Sequence, residues 1–452
     1  MTFRISARWV ALPLAALAVT AVSGCSSPGD DASGRAPLEM WFWGAPAAHQ
    51  EALQQNLVEA FNASQDEYEL SVTFDPDVDA NIQTALAAGE GPDIVYGSGP
   101  AFVAPYAQEG KLVDMDEYAE EYGWKDRILA PMYESGTVDG SLYALPNSVN
   151  TLGIFYNQAV LDEHGWTVPT TIDELVEIMD EAQEAGLYSS VTGNSGWQPV
   201  NENYASLFMT AVAGPDKIEA ALTGTGSWTD PAILDAVETS RDWYQKGYLG
   251  GDDYTSLNFT QSMQLLADGQ SPFFIGPTLA FQFATDYFND EAGNTDDLGF
   301  TSFPTIGEGL ASPLYTLGTT ASFSINAASE SPDGAAEVID FMMSQDFMET
   351  MTAEWPGYWG VPLSGVQLDP TEFDGLSADY VATLNEMFAS VDAGSFGYFT
   401  ATFFPPQTQQ DWINIDSVWN DVEDPEAFLQ QMQSDFDEEL AAGAVPPIPA
   451  QG

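Results

Sequence analysis

The stretch LEMWFWGAPAAHQEALQQNLVEAFNASQDEYELSVTF, residues 38–74, decides the fold class. Its first six residues form a short apolar run typical of a buried strand, and residues 68–74 alternate apolar and polar side chains as a second strand does. Between them, one face of a predicted helix carries four apolar side chains: Leu53, Leu57, Val58 and Phe61. A further helix through Leu86 and a strand at 93–97 repeat the order. This alternation predicts a mainly parallel α/β sheet covered by helices.

Residues 1–24 have the pattern of a secretory signal peptide. Arg4 and Arg8 precede an apolar run, residues 10–22, that is too short to span a bilayer. Small residues before the lone Cys25 resemble the bacterial lipobox, which implies that Cys25 is lipidated and becomes the mature N-terminus. The alternative is an ordinary signal peptide with an incidental cysteine. Residues 25–37 are small and polar and are predicted to form a flexible tether.

The charge is strongly unbalanced, with 69 acidic and 9 basic residues and a formal net charge of −60. Loss of the two arginines of the signal peptide would leave 69 acids against 7 bases, or −62. Such self-repulsion is screened at molar salt, so the imbalance favours a protein that works outside the cell in brine over an ordinarily acidic exported protein. Nucleic acid is excluded as a partner because no basic stripe can neutralise phosphates. A strongly anionic ligand is disfavoured for the same reason.

Six motifs, taken in order, carry a resemblance to a known family. They are GEGPDIVYGSG (89–99), GKLVDMDEY (110–118), DGSLYALPNSVNTLGIFYN (139–157), HGWTVPTTIDEL (164–175), ADGQSPFFIGPTLAF (267–281) and PDGAAEVIDFMMSQDFME (332–349). The ordered set resembles the extracellular solute-binding proteins of ATP-binding-cassette (ABC) importers, in the carbohydrate branch that includes maltose-binding protein. The fold that this implies is the α/β, two-lobed periplasmic-binding-protein fold of type II, with a hinge and an interlobe cleft.

The resemblance also implies that each lobe is built from separate chain segments. Lobe 1 is expected from residues 38–147 and about 304–352, and lobe 2 from residues 148–303 and about 353–449. The first crossing between lobes is expected in YALPNSVNTLGIFYN (143–157) and the second in LGFTSFPTIGEG (298–309). Closure about a hinge around the ligand is the motion known for such folds.

Candidate ligand-binding residues lie mostly in loops that follow strands, where open α/β sheets hold their ligands. Trp43 ends the first strand, and either the core or the cleft suits it. Two other candidate segments combine hydrogen-bonding groups with aromatic rings: YGSG, with Tyr96 and Ser98, and the polar loop 192–204, with Asn194, Trp197, Gln198 and Asn201. Gly276 is a further candidate, because backbone N–H groups at the start of the helix after it could meet a ligand oxygen. An ordinary turn is the competing interpretation for the strand ends, and a solvated loop for 192–204.

The segment EWPGYWGVPL, residues 354–363, crowds three large rings around a proline and a glycine. Sugars pack their C–H faces on flat rings, so Tyr358 and Trp359 are predicted to stack on a ligand, whereas Trp355 is assigned to the core. Tyr398 and Phe403, in a later segment of similar composition, are weaker candidates.

Catalytic motifs are absent from the sequence: it contains no HExxH, GxSxG, CxxC or GxxxxGK[ST] pattern. We therefore expect a lipid-anchored binding protein on the outer face of the cell membrane. It would act as a monomer without a cofactor, capturing a neutral sugar or oligosaccharide and delivering it to the permease of an ABC importer. A binding protein for a quaternary ammonium solute such as glycine betaine is one alternative. A secreted glycoside hydrolase is another, and calcium binding by acidic loops stays open.

Overall fold

The computed structural model describes residues 34–97, 99–294 and 297–451. The predicted signal peptide, Cys25 and Ser98 therefore lie outside the described residues. Residues 36 and 37, which were predicted to belong to the tether, are the start of the first strand.

The strands are short. Their bounds are β1 Ala36–Trp43, β2 Tyr68–Asp75, β3 Ile94–Gly97, β4 Thr137–Val138, β5 Ser141–Leu142, β6 Leu145–Pro146, β7 Leu152–Asn157, β8 Phe273–Pro277, β9 Leu298–Ser302, β10 Tyr315–Leu317, β11 Ser322–Ile325 and β12 Phe396–Tyr398.

The α-helices outnumber the strands and cover the sheets. Their bounds are α1 Ala47–Leu53, α2 Ala60–Ser64, α3 Val78–Ala88, α4 Pro100–Gln108, α5 Asp116–Tyr122, α6 Trp124–Arg127, α7 Ala130–Ser135, α8 Gln158–His164, α9 Ile172–Glu184, α10 Val200–Phe208, α11 Pro215–Leu222, α12 Pro231–Gln245, α13 Phe259–Ala267, α14 Phe281–Ala284, α15 Pro332–Met342, α16 Gln345–Glu354, α17 Leu376–Asp392, α18 Thr400–Phe403, α19 Pro406–Ile413, α20 Asp416–Trp419 and α21 Pro425–Ala442. The α9 helix begins with the capping box that its sequence predicts, formed by Thr171 and Glu174. Among the described helices, none is both long and apolar enough to cross a membrane.

The main sheet has five strands in the order β2-β1-β3-β11-β6. Its β1 strand runs parallel to β2 and β3, as the opening stretch predicts, whereas β11 pairs antiparallel with β3 and β6. A second sheet, β8-β7-β9, is antiparallel throughout. The prediction of a mainly parallel sheet therefore holds for β1, β2 and β3, and β10 and β12 also pair in parallel in a separate sheet. The pairs that involve β6, β7, β8, β9 and β11 are antiparallel.

The chain passes between the two sheets at the segment between β6 and β7, within the first predicted crossing. The second predicted crossing was residues 298–309, but β9 occupies 298–302 and pairs with β7. The next strand, β10, pairs with β12, and only β11 joins the five-stranded sheet. The return to that sheet thus lies at residues 318–321, further along the chain than the sequence indicates.

Candidate functional site

A group of aromatic rings lies at the carboxyl ends of β1 and β3, where ligands of open α/β sheets are expected. We call Phe42, Trp43, Tyr96, Trp355 and Tyr358 the ring cluster. The Trp355 and Tyr358 rings stack with centroids 4.5 Å apart, and Trp43 lies 5.8 Å from Tyr358 and 6.0 Å from Trp355. The Phe42 ring contacts both Tyr96 and Tyr358, with centroid distances of 5.3 and 5.7 Å. Three residues predicted as ligand-binding (Trp43, Tyr96 and Tyr358) are thus brought together.

The polar groups of the ring cluster are neutral. The Trp355 indole N–H donates to Oε1 of the buried Gln282 at 3.0 Å, and the Tyr358 hydroxyl lies 3.5 Å from that of Tyr96. Burial raises the pKa of both tyrosines above the ordinary value of 10, so both phenols keep their protons at physiological pH. This set of rings, hydroxyls and one amide suits an uncharged ligand that presents both C–H and hydroxyl groups.

His49 lies in α1, the helix that follows β1, and was not among the predicted site residues. Its ring stacks on Trp355 with a centroid distance of 4.3 Å, and its buried Nδ1 has no hydrogen-bond partner. Burial lowers the pKa of the His49 imidazole, and the charge of Asp286 opposes that shift. Sequence reasoning missed His49 and Gln282 because both join the site through Trp355, which is distant from each of them in the chain. Their partner Trp355 lies hundreds of residues from His49.

Trp359, which was predicted to stack on a ligand, belongs to the core instead. Its ring is fully buried and lies parallel to Phe323 of β11 at 5.9 Å, with Phe347 edge-on at 5.0 Å. A ring enclosed by these neighbours has no face left for a sugar. The two rings next to each other in the sequence, Tyr358 and Trp359, thus have different environments, because the chain turns sharply at Gly357.

Three chain segments lie side by side next to the ring cluster and form the connection between the sheets. Asn147 donates from Nδ2 to the backbone oxygen of Tyr358 at 2.8 Å and accepts from the backbone N–H of Ala321, also at 2.8 Å. Asn150 and Gly318 exchange two backbone hydrogen bonds of 2.7 and 2.9 Å. Through Asn147, buried hydrogen bonds therefore join the two crossing segments to each other and to the segment that carries Tyr358.

In the predicted polar loop, residues 192–204, backbone hydrogen bonds hold the base and the tip is exposed to solvent. The backbone N–H groups of Asn194 and Ser195 donate to the carbonyls of Tyr254 and Leu257, both at 2.9 Å. Trp197 is 45% exposed, and Gln198 is exposed beside it.

Asn201 belongs to this base rather than to the binding surface. It is fully buried, its Oδ1 accepts from the Tyr254 hydroxyl at 2.7 Å and from Asn194 Nδ2 at 3.1 Å, and its Nδ2 donates to the Ile413 carbonyl. With these three partners bound to its two side-chain polar atoms, Asn201 positions the loop and does not face a ligand.

The neighbouring Glu202 is buried among neutral groups. It accepts hydrogen bonds from the Thr400 hydroxyl at 2.8 Å and from the Gln409 amide at 3.0 Å. Burial raises the pKa of Glu202 from 4.5 to about 7, and those two hydrogen bonds limit the rise.

The remaining candidates lie in packed interiors. Gly276 sits within β8 opposite Gly153, and a Cβ there would lie 2.5 Å from the Phe274 ring, so close packing explains the glycine. Tyr398 is buried in β12, and its hydroxyl donates to the Pro449 carbonyl at 2.6 Å. Phe403 is fully buried against Tyr398. The structure therefore gives no binding surface to these three residues. Within the described part of the chain, no group of three or more His, Cys, Asp or Glu is placed to hold a metal ion.

Comparisons with known proteins identify the family of this chain. The family model described as bacterial extracellular solute-binding protein matches residues 46–349. A "probable sugar-binding periplasmic protein" of Rhizobium meliloti is 26% identical over 224 residues, covering 46% of this chain and 52% of the relative. The "diacetylchitobiose binding protein NgcE" of Streptomyces coelicolor is 25% identical over 197 residues, 41% of each chain. The chain thus spans about half the length, or less, of the curated relatives it matches.

Among solved structures, a "chitin oligosaccharide binding protein" superposes with a TM-score of 0.74 over 90% of this chain and 99% of the other, at 22% identity. A maltose-bound protein of T. maritima superposes with a TM-score of 0.69 over 89% and 99%, at 17% identity. At these identities the likeness shows the fold, which is two-lobed.

Proposed function

Because the chain belongs to the bacterial extracellular solute-binding protein family, we propose that it captures a neutral sugar or oligosaccharide outside the cytoplasm and delivers it to an ABC importer. The protein then acts by binding rather than by catalysis. The relatives and structures named above are binding proteins, several of them for sugars, which supports this assignment.

The observation that carries the proposal is the chemistry of the ring cluster. Its rings meet a buried amide and neutral hydroxyls, with no Lys or Arg side chain among the contacts described above. Sugars need flat apolar faces for their C–H groups and partners for their hydroxyls, since each polar group left stranded costs about 1–3 kcal/mol. An anionic ligand would lack a counter-charge at this site.

Ligand entry requires the two lobes to separate, because the rings of the cluster touch one another directly. We assign residues 38–147 and a later segment ending near 352 to lobe 1, and residues 148–303 and about 353–449 to lobe 2. The strand pairing supports starting that later lobe 1 segment at 318–321 rather than near 304. A ligand that contacts both lobes favours the closed form by its difference in affinity for the two forms.

Contacts in this proposal come from Trp43, Tyr96 and Tyr358 in the cluster and from Asn194, Trp197 and Gln198 in the polar loop. Ser98, two residues after Tyr96 in the sequence, retains its proposed role. Lipidation of Cys25 would anchor the mature chain, as a monomer, on the outer face of the membrane beside the permease.

One observation favours a second candidate ligand. Trp43, Trp355 and Tyr358 converge within 6.0 Å of one another, as the walls of a cage for a quaternary ammonium group do. Glycine betaine therefore belongs in the first experiment.

That experiment is a tryptophan-fluorescence titration of the chain in molar salt with mono- and oligosaccharides and with glycine betaine. We expect saturable binding of one sugar family at micromolar concentration or below, without hydrolysis of the sugar. Trp43→Ala should weaken this binding about tenfold or more, because Trp43 is the half-buried wall of the cluster. Trp166→Ala, which changes another half-buried tryptophan that stacks on His164, is the matched control and should leave affinity unchanged. Binding of betaine alone, or release of sugar products, would refute the proposal.

A further inference from the structure

The short helix α18 lies where the proposed lobe 2, the proposed lobe 1 and a crossing segment meet. A Cβ at Gly99, which follows β3 in lobe 1, would lie 3.6 Å from the Ala401 carbonyl oxygen of α18. The next residue of α18, Thr402, accepts at Oγ1 from the backbone N–H of Thr319 at 3.1 Å, in the segment that returns to the five-stranded sheet. A displacement of α18 would therefore change the interlobe contact and the crossing segment together.

The first residue of α18 joins the helix to a buried carboxyl group. The Thr400 hydroxyl donates to Glu202 Oε2 at 2.8 Å, and the Thr400 backbone N–H donates to the Ser206 hydroxyl at 3.0 Å. Gln409 of α19 donates to both oxygens of the same carboxyl group, at 3.0 and 3.2 Å. Glu202 is only 2% exposed, and the side chains that hold its carboxyl group come from α18 and α19.

Within the described residues, none of the charged groups on the elements packed against α10 acts on Glu202. Burial raises the pKa of Glu202 from 4.5 to about 7, and only the hydrogen bonds from Thr400 and Gln409 oppose that rise. The one cation on these elements, Arg241, lies beside Asp242, with 4.0 Å between Nε and Oδ1. A carboxylate at position 202 is thus buried without a counter-charge. The titratable and charged residues of these elements are Tyr204 on α10 itself, Tyr156 on β7, Asp411 on α19, and Asp235, Glu238, Arg241, Asp242 and Tyr244 on α12, whereas α18, β8 and the π-helical turn Met209–Ala213 carry none.

The protonation state of Glu202 therefore determines how well α18 packs. With its proton, the neutral carboxyl group suits its neutral surroundings. When that proton passes to water, a buried charge remains, and its free energy falls if water can reach it. Because α18 supplies the Thr400 cover and is only four residues long, moving it aside is a direct way to admit water. The same movement withdraws Ala401 from Gly99.

We infer that Glu202 is a positioning residue for closure of the two lobes: with its proton it holds α18 against Gly99 and the crossing segment, and without it α18 is displaced and sugar is held less tightly. Glu202 acts through Thr400 and not by touching the ligand. The inference rests on the proposed function, because closure around a sugar is the step that α18 would control.

Hydrogen–deuterium exchange of the ligand-free chain tests the inference without a sugar. The unaltered chain and Glu202→Gln are compared in molar salt at about pD 6 and about pD 8.5, and comparison at each pD cancels the intrinsic rate of exchange. We expect equal exchange near pD 6. Near pD 8.5, peptides covering 400–404, 99–108 and 318–321 should exchange about three- to tenfold faster in the unaltered chain. Peptides of α9 should not differ, which excludes global unfolding as the cause.

The matched control is Asp411→Asn. It removes another carboxyl group whose pKa burial raises, on the neighbouring α19, where its hydrogen bond is to Gln407 of the same helix. This variant should exchange like the unaltered chain. Faster exchange confined to 400–413 would make Glu202 a local structural residue and overturn the inference. Equal exchange in the unaltered chain and Glu202→Gln, or an acceleration that α9 shares, would overturn it as well.

Sugar affinity gives a second readout, with maltotriose and N,N′-diacetylchitobiose as probes. For a probe that binds, affinity of the unaltered chain should fall about three- to tenfold between about pH 6 and about pH 8.5. Glu202→Gln should keep its affinity over that range, and Asp411→Asn should lose it as the unaltered chain does. An unchanging affinity in the unaltered chain, or an equal fall in Glu202→Gln, would overturn the inference and leave the proposed function intact. Binding of neither probe would count against the proposed function, and hydrogen exchange would still decide the role of Glu202.

Discussion

The ring cluster and the polar loop 192–204 both come from sequence in which rings are set among proline and glycine. Their environments are opposite. In the cluster, Trp355 and Tyr358 are almost fully buried by each other and by Phe42 of β1, and Trp359 is enclosed by β11. In the loop, Trp197 stands 45% exposed on a base held by backbone hydrogen bonds. The comparison shows that the sequence identifies candidate aromatic residues, whereas packing partners distant in the chain determine which ring faces remain available to a ligand.

The largest expected effect is that of Trp359→Ala on stability. Removing this buried ring deletes its contacts with Phe323 and Phe347 and leaves a cavity, so the free energy of unfolding should fall by about 3–5 kcal/mol. Trp197→Ala should change it by less than about 0.5 kcal/mol, because the ring is exposed. Denaturant unfolding in molar salt measures both values. Equal losses for the two variants would mean that the difference between the regions is not one of burial.

The second prediction concerns how stability depends on pH, and it distinguishes the residues that support the loop from those that form the ring cluster. The cluster is built on rings, but the loop leads into α10, where Glu202 is buried among neutral partners. With its pKa raised from 4.5 to about 7, folded Glu202 keeps a proton that the unfolded chain has already lost. Its contribution to stability is therefore full below pH 4.5, declines as pH rises to about 7, and is then lost, a change of about 3 kcal/mol.

Glu202→Gln removes this titration and keeps the side-chain shape. The variant should match the unaltered chain in stability at pH 4.5 and exceed it by up to about 3 kcal/mol above pH 7. The comparison of the two chains at each pH cancels the effect of the other carboxylates. A stability difference that does not change between those pH values would contradict a buried, protonated Glu202.

Much of the fold could be predicted from the sequence, because its signals are local. The helix start at Thr171 and Glu174 and the first strands follow from patterns within a few residues. The second crossing was misplaced because the pairing of β10 with β12 joins segments about eighty residues apart, and no local pattern specifies it.

The site was predictable only in part for the same reason. The structure brings Tyr358 together with Trp43 and Tyr96, and their contact with a ligand stays a prediction. Trp359 was assigned to the ligand because its burial by Phe323 and Phe347 is a tertiary contact that the sequence does not reveal. His49 was missed because its stacking partner, Trp355, is distant in the chain. Aromatic composition identifies candidate rings, and only packing distinguishes a ring that can contact a ligand from a ring that is buried in the core.

The smallest expected effect, Asn201→Ala, asks whether the loop depends on its buried base. The change leaves the Tyr254 hydroxyl and the Ile413 carbonyl without their Asn201 partner, at about 1–3 kcal/mol of unfolding free energy. Because Asn194 also loses its partner, the loop should loosen and Trp197 should become more accessible to acrylamide in the ligand-free chain. The ring cluster shares no hydrogen bond with Asn201, so sugar affinity should fall only by what the loop contributes, about two- to fivefold, and by less than in Trp43→Ala. A loss as large as that of Trp43→Ala would show that the two regions form one cooperative site, and the contrast between them would then be of packing but not of function.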